Sequence, residues 1–229
     1  MTDIIIALDF SDPEEALDLA RTLKKETAWV KVGLELFARS GPEMVTRLKA
    51  MDLSVFLDLK LMDIPNTVSG SVSGCVAAGA DMITLHTLGG KKMIQAALAA
   101  RDRAGRQNNK PKLVGVTLLT SMDKEDLPWS DSRTTGEIVL DLAGKAMKWG
   151  LDGCVCSGLE ARMIRENTAD DFCLITPGIR METSGDDQKR IVTPDQASKA
   201  GADFLVIGRP VTRSPDPVQS LRDIRNLLA

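Results

Sequence analysis

The chain reads as a (β/α)8 barrel. Three observations carry this reading: eight short, nearly continuous apolar runs, a helix-like segment after run upon run, and three helix exits of one pattern. Those exits are Gly79-Ala80-Asp81, Gly150-Leu151-Asp152 and Gly201-Ala202-Asp203. Apolar runs without alternation fit parallel strands buried on both faces. Eight strand–helix units fit a closed barrel, with a doubly wound open sheet as the structural alternative. The 229 residues match the size of one barrel, since such folds often reach about 250 residues as a single unit. No linker, low-complexity stretch or composition shift interrupts the chain, so residues 1–229 are expected to form one catalytic domain.

The elements follow in order. Strands are expected at 4–9, 29–33, 54–59, 82–86, 113–118, 153–156, 172–176 and 204–207. After the first, Asp12-Pro13-Glu14-Glu15 places a cap, a proline at the first helical position and an acid at the third. Ala16, Leu19, Ala20 and Leu23 then mark one helical face. Thr193-Pro194 and Asp216-Pro217 repeat the cap-then-proline device. Each Gly-x-Asp exit puts glycine at a helix C-terminus, where a positive φ is required, directly before an apolar strand. Two connections, 120–135 and 178–192, are too long for tight turns, and loops of that length usually serve function.

Composition excludes several classes. With 29 Lys and Arg against 32 Asp and Glu, the net charge is −3; a nucleic-acid-binding surface needs a basic excess. No Tyr, five Phe and three Trp leave little for a base-stacking platform. No apolar stretch is long enough to span a membrane, and the N-terminus has no basic segment leading a long apolar run. Cys75, Cys154, Cys156 and Cys173 read as free thiols of a cytoplasmic protein; Cys154 and Cys156 share a strand face without geometry for a bridge. With His86 as the one histidine, and without paired Cys-x-x-Cys spacing, no metal site is expected.

Charge inside apolar strands is the informative anomaly. Asp58 and Lys60 stand two apart in Phe56-Leu57-Asp58-Leu59-Lys60, which places them on one face of a strand, and Asp63 follows. Lys31 interrupts Trp29-Val30-Lys31-Val32, and Asp9 ends the first strand. Unpaired buried charge is costly, whereas opposite charges about 4 Å apart at an effective dielectric near 20 attract by roughly 4 kcal/mol before desolvation. An ion-pair network tying strands together is one reading. The other is an active site, which in this fold sits at the strand C-terminal ends. Carboxylate neighbours keep Lys60 protonated, suiting a proton donor rather than a Schiff-base amine. A second feature is an anion site: Gly208-Arg209 follows the eighth strand, while Pro177-Gly178-Ile179-Arg180 and Gln188 follow the seventh. Barrels often bind phosphate in those loops, where glycine bares backbone N–H groups and arginine offers a fork of donors. His86 is expected to be a hydrogen-bonded residue of the barrel rim.

Several runs together resemble one family. They are Ala7-Leu8-Asp9, Lys31-Val32-Gly33, Asp58-Leu59-Lys60-Leu61-Met62-Asp63-Ile64-Pro65-Asn66-Thr67-Val68, Val116-Thr117-Leu118-Leu119-Thr120-Ser121, Thr176-Pro177-Gly178-Ile179-Arg180 and Ile207-Gly208-Arg209-Pro210-Val211-Thr212. In this order, from the first strand to the last, the chain resembles orotidine 5′-monophosphate decarboxylase of the bacterial type. The resemblance implies a (β/α)8 barrel that converts orotidine 5′-monophosphate to UMP and CO2, the last step of pyrimidine synthesis, with no metal or organic cofactor. It implies a charged array of Lys31, Asp58, Lys60 and Asp63, and a homodimer in which Asp63, Ile64 and Thr67 reach across the interface into the other subunit's site. It assigns Asp9 and Lys31 to the ribose, Thr120 to the pyrimidine, and Arg180, Gln188, Gly208 and Arg209 to the phosphate end. Met62 stands where bacterial relatives usually have His. The Asp-x-Lys-x-x-Asp core is shared with sugar-phosphate decarboxylases and synthases that use Mg2+ and an enediolate, which form the alternative. A non-catalytic nucleotide-binding protein is the rival from another class.

Overall fold

Each apolar run pairs in parallel with the next, and the last returns to the first. The strands β1 (Asp3–Ala7), β2 (Trp29–Gly33), β3 (Ser54–Leu61), β4 (Met82–His86), β5 (Lys112–Val116), β6 (Gly153–Val155), β7 (Cys173–Thr176) and β8 (Phe204–Ile207) form a closed barrel in sequence order. Closure is made by β1 against β8, from Asp3 opposite Phe204 to Ile6 opposite Ile207. The computed structural model describes residues 2–104, 110–127, 132–181 and 192–228. Among them, helices α1 (Pro13–Leu23), α2 (Leu34–Ser40), α3 (Pro42–Lys49), α4 (Pro65–Ala78), α5 (Gly90–Ala104), α6 (Thr135–Trp149), α7 (Gly158–Arg165), α8 (Pro194–Lys199), α9 (Arg209–Thr212) and α10 (Pro217–Asn226) connect the strands. No described helix is long and apolar enough to cross a membrane.

Strand alternation sorts the core into two parts. Ile5, Ala7, Phe56, Met82, Val114, Ile175, Phe204 and Val206 fill the barrel interior as one cluster. Their sequence neighbours, including Ile4, Ile6, Val55, Leu57, Ile83 and Leu205, face outward and join the core beneath the helices. At the floor, the rings of Trp29 and Phe204 meet edge to face with centroids 5.4 Å apart. The expected strands are all present, with shifted ends. The first and fifth stop short of Asp9 and Leu118 because the chain already turns toward the pocket, whereas β3 runs on to Leu61.

The helix signals act as expected. Asp12 accepts from the Glu14 N–H at 2.8 Å, and Asp216 from the Gln219 N–H at 2.9 Å. Gly79, Gly150 and Gly201 adopt φ of +96°, +96° and +95°, a conformation that disfavours any residue with a Cβ.

The aspartates after those glycines close the barrel floor. Asp81 Oδ2 accepts from the Val55 N–H in β3 and from Lys49 Nζ in α3, both at 2.7 Å. Asp152 Oδ2 accepts from the Leu113 N–H in β5 and Arg101 Nη1 in α5, both at 2.7 Å. Asp203 Oδ2 accepts from the Leu174 N–H in β7 at 2.7 Å and from Arg165 Nη2 in α7 at 2.6 Å. In all three, the aspartate's own N–H donates back to the carbonyl of the same strand residue at 2.9 Å. One carboxylate thus joins two neighbouring strands and the helix before them. Replacing Asp152 with Ala leaves the Leu113 N–H and the Arg101 guanidinium without this acceptor. A loss of about 1–3 kcal/mol in unfolding free energy is expected, read as a lower urea midpoint, with the pocket at the opposite end unaffected.

Candidate functional site

The site begins with an irregularity in β3. Leu57 pairs with Ile83 and Leu61 with Leu85, so three residues, Asp58, Leu59 and Lys60, face Thr84 alone. A bulge of this kind re-aims side chains. Lys60 takes a φ of +51°, a left-handed conformation costing roughly 1–2 kcal/mol for a residue with a Cβ. The regular strand expected to put Asp58 and Lys60 on one face is therefore not what joins them; the bulge bends the lysine back toward the aspartate. The N–H of Lys60, displaced from the ladder, donates to Thr84 Oγ1 at 2.7 Å.

The charges then assemble across three strands. Lys60 Nζ lies 2.9 and 2.8 Å from the two Asp58 oxygens. Lys31 Nζ, from β2, lies 3.8 Å from Asp58 Oδ2 and 2.8 Å from Asp9 Oδ1 at the end of β1. Thr84 Oγ1 donates to Asp58 Oδ1 at 3.1 Å. Burial alone pushes the Asp58 carboxyl upward, but the ammonium groups of Lys31 and Lys60 and the hydrogen bonds from Lys60 and Thr84 outweigh it and hold it below the usual aspartate range. Gly33 leaves room beside this cluster: a Cβ there would come within 2.9 Å of Lys31 Nζ and 3.1 Å of Asp9 Oδ1, and those side-chain ends would have to shift.

These groups line a pocket of about 350 Å³ at the strand C-terminal ends, as active sites of this fold do. Asp9, Lys31, Asp58 and Lys60 form one side. Thr120 and Ser121 enter from the segment after β5, Arg180 from the segment after β7, and Gly208 and Arg209 from the end of β8. Gly178 has φ +81°, and the chain beside it is tied by a bridge between Ile179 and Val192 and by Arg180 N–H donating to the Val192 carbonyl at 3.1 Å. Arg180 Nη1 also donates to the Ile179 carbonyl at 2.9 Å. Of the residues expected here, Asp63, Ile64 and Thr67 do not line the pocket. All three are exposed, and the Asp63 carboxylate accepts from the N–H of Ile64. Gln188 lies outside the described residues.

His86 differs from expectation. It closes β4 opposite Val116, and its buried Nδ1 has no hydrogen-bond partner among the described residues. Burial first, and then the charge of Lys60, lower its pKa and favour the neutral ring. Thr84 is the residue that sequence reasoning missed. Its signal was available: Met82, Thr84 and His86 alternate inward along β4, so Thr84 is a polar side chain turned into the barrel.

A polar, doubly charged pocket on the C-terminal face, with arginines after β7 and β8, defines a barrel enzyme handling an anionic substrate. Comparison with known proteins narrows this further. The sequence profile of the Orotidine 5'-phosphate decarboxylase / HUMPS family matches residues 2–224, and the chain belongs to that family. It is 48% identical over 224 residues to the orotidine 5'-phosphate decarboxylase of Maridesulfovibrio salexigens, covering 98% of this chain and 97% of that protein. It is also 48% identical over 228 residues to that of Nitrosomonas europaea, covering 99% and 96%. Among solved structures, the orotidine 5'-phosphate decarboxylase from Lactobacillus acidophilus superposes with a TM-score of 0.86 at 34% identity, covering 100% of this chain and 99% of the other.

Proposed function

We propose that this chain decarboxylates orotidine 5′-monophosphate to UMP, acting as one catalytic domain over residues 1–229. The observation that carries the reading is the Lys31–Asp58–Lys60 cluster in a pocket that also holds Arg180 and Arg209. In the reaction the bond from C6 of the pyrimidine to the carboxylate breaks, CO2 departs, and the electron pair stays on C6. No ring carbonyl delocalises that pair well, so the pocket must stabilise it in place. Lys60, oriented by Asp58, supplies the nearby positive charge and then transfers a proton from Nζ to C6. The neutral amine regains a proton from solvent once UMP has left. Asp58 orients the ammonium and stands near the departing carboxylate, so their repulsion falls as CO2 leaves. Asp9 and Lys31 serve the ribose, Thr120 the pyrimidine, and Gly208, Arg209, Arg180 and Gln188 the phosphate. Binding energy from that distant phosphate holds the ring at the reacting end.

Asp63 completes the array from a second copy of the chain. Within its own chain it stands outside the pocket, and the surface around it favours a partner: Met62 is 55% and Ile64 67% exposed. The outer face of α4 continues that surface through Thr67, Gly70 and Gly74, all exposed. A Cβ on either glycine would meet nothing within 4 Å. Each such helix-interior glycine costs about 1 kcal/mol relative to Ala, and close approach of a second chain gives it a use. A cytoplasmic setting accords with four free cysteines, three of them buried.

Two experiments test the reading. Adding purified protein to orotidine 5′-monophosphate in the presence of EDTA should lower the ultraviolet absorbance characteristic of the 6-carboxylate as UMP is released. Activity lost to EDTA and restored by Mg2+ would favour the sugar-phosphate relatives, and UMP binding without turnover would favour a non-catalytic protein. For the shared site, Lys60→Ala and Asp63→Ala proteins, each nearly inactive, are mixed through partial unfolding and refolding. Random exchange makes half the dimers mixed, and each mixed dimer regains one intact site, so about a quarter of wild-type sites should return. No recovery after exchange confirmed by mass would place Asp63 in its own subunit's site.

A further inference from the structure

Thr84 has no solvent exposure, yet its hydroxyl serves two partners of the reacting end. It accepts the Lys60 N–H at 2.7 Å and donates to Asp58 Oδ1 at 3.1 Å. Lys60 and Asp52 are the non-glycine residues with positive φ among those described, and Asp52 lies in the turn that precedes β3. A left-handed residue with a Cβ persists only where its surroundings hold it. Here the register resumes at Leu61 opposite Leu85, so the Lys60 N–H finds a side chain instead of a ladder carbonyl. The oxygen that holds this backbone also holds one of the two carboxylate oxygens that Lys60 Nζ contacts. Backbone and ammonium of the same lysine are thereby referred to a single atom on the neighbouring strand.

We propose that Thr84 is a positioning residue of the decarboxylation, whose hydroxyl clamps the left-handed backbone of Lys60 and the Asp58 carboxylate so that the ammonium points into the pocket. The inference rests on the decarboxylase reading above. A hydroxyl is suited to the task because it donates and accepts at once. Valine keeps the shape and does neither, serine keeps both functions, and cysteine keeps them only weakly.

The test compares Thr84→Val, Thr84→Ser and Thr84→Cys with the wild type in kcat and KM for orotidine 5′-monophosphate, with UMP affinity and thermal midpoint as controls of the fold. Thr84→Val should lower kcat by about tenfold or more while KM and UMP affinity move less than about threefold, and Thr84→Ser should stay within about threefold of wild type. The pH profile gives a second reading. Asp58 is faced by Lys31, Lys60, Thr84 and, further off, His86, with Asp9 engaged by Lys31. Removing the Thr84 donor removes a contact that favours the carboxylate, so the acid limb of kcat should move to higher pH in Thr84→Val; a mere packing defect leaves it in place. Equal kcat for Thr84→Val and wild type, or equal impairment of the valine and serine variants, overturns the proposal. If Thr84→Val does not fold, cysteine against serine decides: a lower kcat for cysteine supports the clamp, and equal values refute it. If the wild type shows no turnover, the decarboxylase reading fails. The crystal structure of Thr84→Val then judges the clamp, which is refuted if Lys60 keeps both its positive φ and its contact with Asp58.

Discussion

The arrangement depends on one buried carboxylate held between two ammonium groups. Asp58 has a side chain only 13% exposed and lies within 4 Å of both Lys31 and Lys60. Each of the three would be costly to bury alone. Together with Asp9 they form two cations and two anions drawn from β2, β3 and the residues just after β1, with Thr84 of β4 adding a hydroxyl. Four adjacent strands must therefore be in register before these charges are compensated. The same geometry sets the Lys60 side chain beside the pocket.

The two ends of the barrel do different work. At the floor, Asp81, Asp152 and Asp203 tie odd strands to even ones and to the helices outside. At the other end the chain departs from regular structure, with a bulge at Asp58–Lys60, a left-handed Lys60 and a left-handed Gly178. Strain at a functional end persists only when the rest of the fold over-determines it. The floor contacts repeat one motif in three places and fix the strands at that end, whereas at the pocket end the Thr84 hydroxyl holds the left-handed Lys60.

Much of this was legible in the sequence because burial makes it so. Continuous apolar runs mark strands covered on both faces, and Gly-x-Asp exits mark helix ends that lead into them. Lys31 and Asp58 were conspicuous because a charge inside an apolar strand demands a partner. The bulge was not legible: no glycine or asparagine marks Lys60, and its φ is set by a hydroxyl on another strand. Nor does spacing tell that Asp63, three positions beyond Lys60, stands outside its own pocket. That follows from the outward course of the chain through Met62 and Ile64, and only the family resemblance anticipated it. Resemblance likewise brought Thr120 to the pocket, where the structure places it with Arg180 and Arg209.

The central claim is that Asp58 stays ionised because Lys31 and Lys60 face it as ammonium groups. Titration of the Asp58 side-chain carboxyl carbon by NMR tests this most directly. The account predicts a midpoint below the ordinary aspartate range in the wild type, and an upward move in Lys60→Ala, where one of the two cations is gone. A midpoint at or above the ordinary range in the wild type, or no change on removing Lys60, would contradict it.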